Sequence, residues 1–253
     1  MDAVKAILSH RSIRSYKDKE IPAETVDLLL RCAVRAPVTA MGHFYSILVV
    51  RDQAKKDQLR DVCGGQGALR SSTYFLFCAD FHRTELLADA LGVERGIHGY
   101  TALVIGTVDA TLAAQNLAIA AESMELGTCY VGSVLHKAFT VCEVFDLPPR
   151  TIPLFCLAVG FPNEDPELRP RLPTEALVHL DRYREPAAEE IPAFIDSIGS
   201  SFAGERPVSR SLEGKKSFVR GLIQGSWWQS GEEELRKALT RQGFDKELDK
   251  ELR

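Results

Sequence analysis

The sequence lacks the features that mark several classes of protein. Its 253 residues contain no CxxC pair and no cysteine–histidine spacing that suits zinc, and the six cysteines are scattered, mostly within apolar segments. We therefore expect reduced, buried thiols, with neither a metal site nor a disulfide framework. The 31 basic and 35 acidic residues nearly balance, so we expect no nucleic acid and no anionic membrane as a partner.

The pattern of apolar residues also favours neither a signal peptide nor a membrane span. The N-terminal stretch MDAVKAILSHRS has too short an apolar run for a secretory signal. The most apolar stretch, residues 100–126, carries Asp109 and Glu122, which a membrane helix would bury at high cost. We expect a cytoplasmic protein with a buried core helix over about 102–125, capped by Gly127.

Hydrophobic patterning predicts an α+β fold. Few strands alternate with long helices, which favours a sandwich whose helices cover a small sheet. The strands are predicted over 45–50, 73–79, 128–134 and 152–160, and further helices over 2–9, 22–33, 54–62, 137–145 and 232–241.

The composition changes after Phe161. Four prolines stiffen the loop PNEDPELRPRLP, and the chain becomes more polar from about residue 185. We predict a core over residues 1–185, followed by a C-terminal excursion over 186–253 that packs on the core or on a partner subunit.

Two short segments are suited to bind an anion. The first is His10-Arg11-Ser12-Ile13-Arg14, where guanidinium, hydroxyl and imidazole groups lie within five residues. The second is Arg169-Pro170-Arg171, in which the proline limits backbone freedom. Taken alone, the first segment is better explained as a solvated helix end and the second as ordinary surface charge.

Two further segments could approach a planar ligand. Gly64-Gly65-Gln66-Gly67 lacks the GxGxxG spacing of a dinucleotide fold, yet Gln66 offers both a donor and an acceptor. Tyr130-Val131-Gly132-Ser133 ends a predicted strand, where the glycine allows close approach of backbone. A flexible turn is the alternative for the first of these segments.

The order and spacing of these segments resemble the nitroreductase superfamily over about the first 185 residues. Within it, the sequence is most similar to the oxygen-insensitive NADPH nitroreductases and NADPH-flavin oxidoreductases. The motifs that carry the resemblance are HRSIRSY at 10–16, RAPVTAMGH at 35–43, CGGQG at 63–67, AAQNLAIAAESMELGTCYVGS at 113–133 and GFPNEDPELRPRLP at 160–173.

The resemblance implies a sandwich with a small, mainly antiparallel sheet, and FMN bound without a covalent bond at a homodimer interface. It also implies the cofactor contacts. Phosphate and ribityl contacts fall on His10, Arg11, Ser12, Arg14, Arg169 and Arg171. Gln66 would contact the flavin or its ribityl chain, and the ring would lie against Tyr130, Val131, Gly132 and Ser133.

Other site residues follow from the same resemblance. Val38, Thr39 and Ala40 match a segment that contacts the pyrimidine side of the flavin and is usually richer in serine. His43 stands where relatives often carry a glutamine near the flavin, although an ordinary loop histidine is an equal alternative. Arg206 and Arg210 could meet the 2′-phosphate of NADPH, with a solvated loop as the alternative.

The implied activity is FMN-dependent, two-electron ping-pong transfer from NADPH or NADH to nitroaromatics, quinones or flavins. The protein would supply position and electrostatics, so we predict no catalytic nucleophile or general base. A homodimer is also favoured because the helix over 102–125 is apolar on more than one face. The alternative function is a flavin-binding or redox-sensing protein without steady-state turnover.

Overall fold

The structure, a computed structural model, describes residues 1–96, 99–169, 171–200, 212–224 and 226–244. These fall into two compact units. The first comprises Met1–Asp165 together with the chain from Gln229, and the second comprises Pro166–Trp228. The boundary that we predict at residue 185, between a core and a C-terminal excursion, remains a prediction.

The first unit alternates helices with four strands, as the patterning predicts. Its helices and strands are α1 (Ala3–Leu8), α2 (Ala23–Ala33), β1 (Tyr45–Val50), α3 (Gln53–Val62), β2 (Thr73–Asp80), α4 (His82–Leu91), α5 (Gly99–Ser123), β3 (Gly127–Val131), α6 (Ala138–Val144) and β4 (Thr151–Gly160). Short 3₁₀ segments lie at Thr39–Met41, Gly67–Arg70 and Gly132–Lys137.

The four strands form one antiparallel sheet in the order β1-β2-β4-β3. Side chains of β2 alternate between its two faces, because successive residues of a strand point in opposite directions. Phe75 and Phe77 enter one buried cluster, whereas Tyr74 and Leu76 enter another. Both faces of the sheet are therefore covered, which confirms the predicted α+β sandwich.

Helix α5 is the central helix of the unit. Within the described residues, it is the one helix that is long and apolar enough to cross a membrane by these two measures. It contacts β2 and α2, and Asp109 on it is fully buried. Its small residues permit this packing: a Cβ on Gly106 would lie 2.7 Å from Cβ of Ala79. Contact with the sheet thus accounts for the small residues on its buried face.

The predicted end of this helix is wrong. Gly127 does not cap α5 but is the first residue of β3. The turn is made instead by Glu125, which adopts a positive φ of 64°, and the Leu126 N–H donates to the Ala121 carbonyl at 3.0 Å. A non-glycine residue therefore takes the left-handed position that usually favours glycine.

Two helices have features that the sequence pattern does not predict. The apolar residues of α1 point outward, with Val4, Ile7 and Leu8 exposed and Ala6 buried. Helix α4 was not predicted at all, and no side chain caps its N-terminus.

The described C-terminal helices are α7 (Ile191–Ser200), α8 (Leu212–Gln224) and α9 (Ser226–Arg241). The first two belong to the second unit, which also has a 3₁₀ turn at Thr174–Ala176. The end of the chain returns to the first unit, where Ala238, Leu239 and Phe244 are buried in its core. The last predicted helix is thus longer than expected and contributes to the core.

Candidate functional site

The segment His10–Tyr16 is attached to the sheet at both ends. Ser12 forms a parallel bridge with Thr128 of β3, and the Ile13 N–H donates to the Thr128 carbonyl at 2.8 Å. Tyr16 bridges to Pro162, which follows β4. The predicted anion-binding residues therefore lie on a segment whose position is fixed by backbone hydrogen bonds.

Two glycines make this attachment possible. Gly127 and Gly160 pair across β3 and β4, and the segment packs over both. A Cβ on Gly127 would lie 2.7 Å from Cγ1 of Ile13, and one on Gly160 would lie 2.8 Å from Cδ1 of Tyr16. Since such distances are too short for carbon atoms, the absence of side chains at these positions lets the segment lie close to the sheet.

The backbone of this segment already holds an anionic oxygen. The N–H groups of Arg14 and Ser15 both donate to Oε1 of Glu164, the latter at 2.9 Å. Arg11 pairs with Asp165, whose side chain is 85% exposed. Adjacent backbone N–H groups and a guanidinium thus donate to carboxylates here, and the same donors suit a phosphate. The two carboxylates would compete with it.

His10 is oriented by a residue that the sequence did not single out. Its Nδ1 lies 2.7 Å from Oε1 of Glu122 on α5, and the hydroxyl of Thr128 donates to the same oxygen at 2.5 Å. Glu122 therefore links the imidazole to the first residues of β3. From the sequence alone, Glu122 indicates only that the apolar stretch 100–126 is not a membrane span.

The glycine-rich turn meets the end of β3. Nε2 of Gln66 donates to Oγ of Ser133 at 2.8 Å, and a Cβ on Gly67 would lie 3.2 Å from the Arg14 carbonyl oxygen. Three segments that are far apart in sequence, 10–14, 66–67 and 130–133, are therefore neighbours in the structure.

The residues of β3 differ in what they can offer a ligand. The side chain of Val131 is buried, so only its backbone could contact one, whereas Gly132 is exposed. The hydroxyl of Tyr130 donates to Oε1 of Gln115 at 3.3 Å. Burial raises the pKa of Tyr130, which keeps this group a neutral donor.

The loop that contains Val38, Thr39 and Ala40 is held by Asp109. One carboxylate oxygen of Asp109 accepts from the Thr39 backbone at 3.0 Å and from its hydroxyl at 2.9 Å, and the other accepts from the Phe44 N–H at 3.2 Å. Between them, three non-glycine residues have positive φ angles: Ala40 at 47°, Met41 at 57° and His43 at 49°. The buried carboxylate thus compensates for an unfavourable backbone conformation.

The remaining predicted residues are on other parts of the chain. His43 is exposed, and its Nδ1 lies 2.9 Å from the Met41 carbonyl oxygen. Arg169 and Arg171 are exposed residues of the second unit, in which Arg171 donates to the Arg169 carbonyl at 3.2 Å. Arg206 and Arg210 lie outside the described residues.

Comparison with known proteins decides the family. A family model described as "Nitroreductase family" matches residues 7–161. This range includes segments 10–14, 66–67 and 130–133, which are neighbours in the structure. The chain belongs to the nitroreductase family. Within the described residues of this family member, no group of three or more histidine, cysteine, aspartate or glutamate side chains could hold a metal ion.

Relatives in the nitroreductase family extend the match over most of the chain. An FMN reductase (NADPH) of Bacillus subtilis is 38% identical over 185 residues, covering 72% of this chain and 74% of the relative. An NADPH-flavin oxidoreductase of Vibrio harveyi is 31% identical, covering 88% and 92%. The solved structure of B. megaterium NfrA2 covers 96% of this chain and 98% of its own, with a TM-score of 0.85 at 28% identity.

Proposed function

We propose that this member of the nitroreductase family is an FMN-dependent oxidoreductase. It takes electrons from NADPH or NADH and passes them in pairs to small oxidised acceptors such as nitroaromatics, quinones or free flavins. The observation that carries the proposal is the segment 10–15, a row of anion donors held against the sheet beside Gln66 and Ser133. The names of the relatives, an FMN reductase (NADPH) and an NADPH-flavin oxidoreductase, agree with it.

The residues of this segment fit the phosphate of FMN. The guanidinium of Arg14 makes one long hydrogen bond among the described residues, to the Ser12 carbonyl at 3.4 Å, so it can still bind an anion. The backbone N–H groups of Arg14 and Ser15 would exchange the carboxylate of Glu164 for phosphate oxygens. His10, Arg11 and Ser12 would complete the part of the site that the first unit supplies, and the family resemblance alone assigns Arg169 and Arg171 to the same phosphate.

The flavin ring would lie along residues that differ in their hydrogen-bonding capacity. Both donors of Thr39 are used by Asp109, so Thr39 could offer the ring only lone pairs of its hydroxyl. Donors on the pyrimidine side would then come from the backbone near Ala40, with Val38 flanking it. Gln66, Tyr130, Gly132, Ser133 and the backbone of Val131 would contact the other parts of the cofactor.

FMN, when bound, supplies the hydride chemistry, so this chain needs only to hold and orient its reactants. We accordingly assign no catalytic nucleophile or general base. His43 is exposed near the Thr39 loop and would contact a substrate rather than transfer a proton. Arg206 and Arg210 would meet the 2′-phosphate of NADPH, which would favour NADPH over NADH.

A homodimer is also part of the proposal. Four large side chains spaced by four residues form an exposed apolar stripe on α5. They are Tyr100, Val104, Val108 and Leu112, exposed by 62%, 60%, 48% and 38%. Residues four apart share one face of a helix, so they form one continuous surface, and a second copy of the chain would cover it.

We also place this enzyme in the cytoplasm, because neither the charge nor the composition of the chain favours secretion or binding to a membrane.

The visible spectrum of the purified protein tests the proposal. We expect a yellow protein whose flavin absorbance is bleached by NADPH under anaerobic conditions and returns when a quinone or nitroaromatic is added. Steady oxidation of NADPH with excess acceptor separates an enzyme from a flavin-binding sensor, which would be reduced once and stop. A protein that takes up no FMN from an excess would refute the function, and a higher kcat/KM for NADH would refute the assigned donor.

A further inference from the structure

A second concave site lies in the first unit. Its cavity of about 330 Å³ is walled by residues 16–20, by the connection from β1 into the first turns of α3, and by residues 70–74. None of these residues is among the predicted FMN contacts. We name it the Lys56 pocket after the buried cation in its wall.

The charge of the Lys56 pocket is opposite to that of the whole chain. Asp18 and Glu20 are its two acidic residues, against six basic ones, which gives a net charge of +4 in a chain whose formal net charge is −4. The basic residues are Lys17, Lys19, Arg51, Lys56, Arg60 and Arg70. Like charges this close repel one another, so the pocket is electrostatically prepared for an anion.

Lys56 is the most telling member of the set. It is 8% exposed, and its ammonium makes one hydrogen bond among the described residues, to the Ser72 carbonyl at 3.2 Å. Burial lowers its pKa, although Asp57, Glu20 and Asp18 act in the opposite direction. An ammonium has three donors, so a buried one with a single neutral acceptor can still bind an anion.

Other polar groups of the pocket have unused hydrogen-bonding capacity. The hydroxyl of Ser72 is buried and has no partner among the described residues. Lys17 and Arg70, which also line the pocket, form no ion pair with any residue that the structure describes. Arg51 and Arg60, in contrast, are paired with Glu20 at 3.2 Å and with Asp57 at 3.0 Å. Four of the six cations thus have no ion pair among the described residues. Two of these four lie over aromatic rings, Lys19 at 4.1 Å from the centroid of Phe161 and Lys56 at 5.2 Å from that of Tyr74, and these rings do not neutralise their charge.

We propose that the Lys56 pocket binds a small phosphate-bearing molecule, of the size of pyrophosphate or the diphosphate part of a nucleotide. A cavity of this volume is at the lower end of the range for small-molecule sites, and lysine, arginine and hydroxyl donors are those that phosphate oxygens use. A monovalent carboxylate would leave most of the positive charge uncompensated. This site is independent of the flavin and of the proposed function.

Calorimetric titration with pyrophosphate tests the proposal. We expect the FMN-loaded protein to bind one pyrophosphate per chain, with a Kd below about 1 mM at constant ionic strength. Lys56→Met should weaken binding by about tenfold or more, because a charge-assisted hydrogen bond is lost, and Arg70→Gln should weaken it by roughly threefold or more. Lys237→Met removes the same charge from an exposed position on α9 and should leave the Kd unchanged.

The remaining outcomes are equally decisive. Tighter binding of ADP than of pyrophosphate would identify a nucleotide diphosphate, and equal or weaker binding would identify the free anion. Heats that do not saturate, equal weakening by Lys237→Met, or release of FMN in proportion to added pyrophosphate would overturn the assignment. Arg70 is on the surface, so Arg70→Gln keeps the test valid if Lys56→Met fails to fold. Protein without FMN also exposes the phosphate site proposed for the flavin, so in that protein only the binding lost in Lys56→Met reports on the Lys56 pocket.

Discussion

Asp109 accepts two hydrogen bonds from Thr39, one from its backbone N–H and one from its hydroxyl, both to the same carboxylate oxygen. The aspartate is fully buried on α5, and its second oxygen accepts from Phe44. One side chain of the central helix therefore fixes both ends of the loop that is predicted to face the flavin.

Substitution of Asp109 by asparagine should destabilise the protein. The side chain keeps its size but loses its charge and one acceptor, and hydrogen bonds to a charged group contribute about 1.5–3 kcal/mol each. We expect the free energy of unfolding in urea to fall by about 1–3 kcal/mol, and FMN to bind more weakly as the loop relaxes. Asp27→Asn, at an exposed position on α2, should change stability by less than about 0.5 kcal/mol. Wild-type stability of Asp109→Asn would contradict this account of the loop.

Loss of arginine from the phosphate site should release the cofactor. Arg14→Ala is expected to weaken FMN binding by about tenfold or more, and Arg171→Ala by a similar factor, since each removes a guanidinium that is proposed to bind the phosphate. The double variant should be isolated largely without flavin. Fluorescence titration of the apoprotein with FMN measures both steps.

Arg31→Ala is the matched control for these variants. Arg31 is an exposed arginine whose partner, Asp27, is on the same helix, so FMN affinity should not change. Full FMN occupancy in the Arg14→Ala, Arg171→Ala double variant would disprove the assignment of the phosphate site.

A charge in the exposed stripe of α5 should dissociate the dimer. Val108→Glu would place a carboxylate in the apolar surface that the second copy is proposed to cover, where its desolvation is costly. We expect a monomeric mass by analytical ultracentrifugation at micromolar concentration, with an unchanged circular dichroism spectrum. Val49→Glu is the control, at an exposed valine of β1 outside the stripe. A monomeric wild-type protein would rule out the dimer.

Alkaline pH should destabilise the fold. Burial raises the pKa of Tyr16, Tyr74 and Tyr130. Unfolded tyrosine titrates near about pH 10, so above that value the unfolded chain releases protons that the folded chain retains. Stability is therefore fully present below about pH 10 and decreases as the pH rises above it. Urea midpoints at pH 8 and pH 10.5 measure this loss.

Variants assign the alkaline effect to particular residues. Tyr130→Phe should reduce the dependence of the urea midpoint on pH, because one of the buried phenols is removed. Tyr183→Phe, at a side chain that is 72% exposed, should leave that dependence as it is in the wild type. Equal effects of the two substitutions would show that burial is not the cause.

The local sequence predicted the positions of most helices and strands of the first unit, because these depend on the pattern of apolar residues. β1 has the predicted bounds because YSILVV is a continuous, mostly apolar run that contains three β-branched residues. The end of α5 was missed because Glu125, rather than the nearby glycine, takes the left-handed conformation. Hydrophobic periodicity placed α1, but its large apolar side chains are exposed and the six-residue helix buries only Ala6.

The site was predictable only in part, because a sequence shows residue types but not the contacts between distant residues. Donor residues could be recognised by type, so segments 10–14, 66 and 130–133 were found, and the structure places them side by side. Two acidic residues of α5 were missed: Glu122, which orients His10, and Asp109, which holds the loop from Thr39 to Phe44. An acidic residue in an apolar helix is itself a signal of a specific partner. The Lys56 pocket could not be seen because its wall comes from three stretches of ordinary surface charge.

Strand β3 is at an edge of the sheet, and residues 12–13 bind along its first residues. An open edge strand offers unpaired N–H and C=O groups to other chains and promotes aggregation. The same residues that are proposed to hold the cofactor phosphate also shield this edge. A chain shortened to begin after Lys17 should therefore self-associate through β3 as well as lose its flavin.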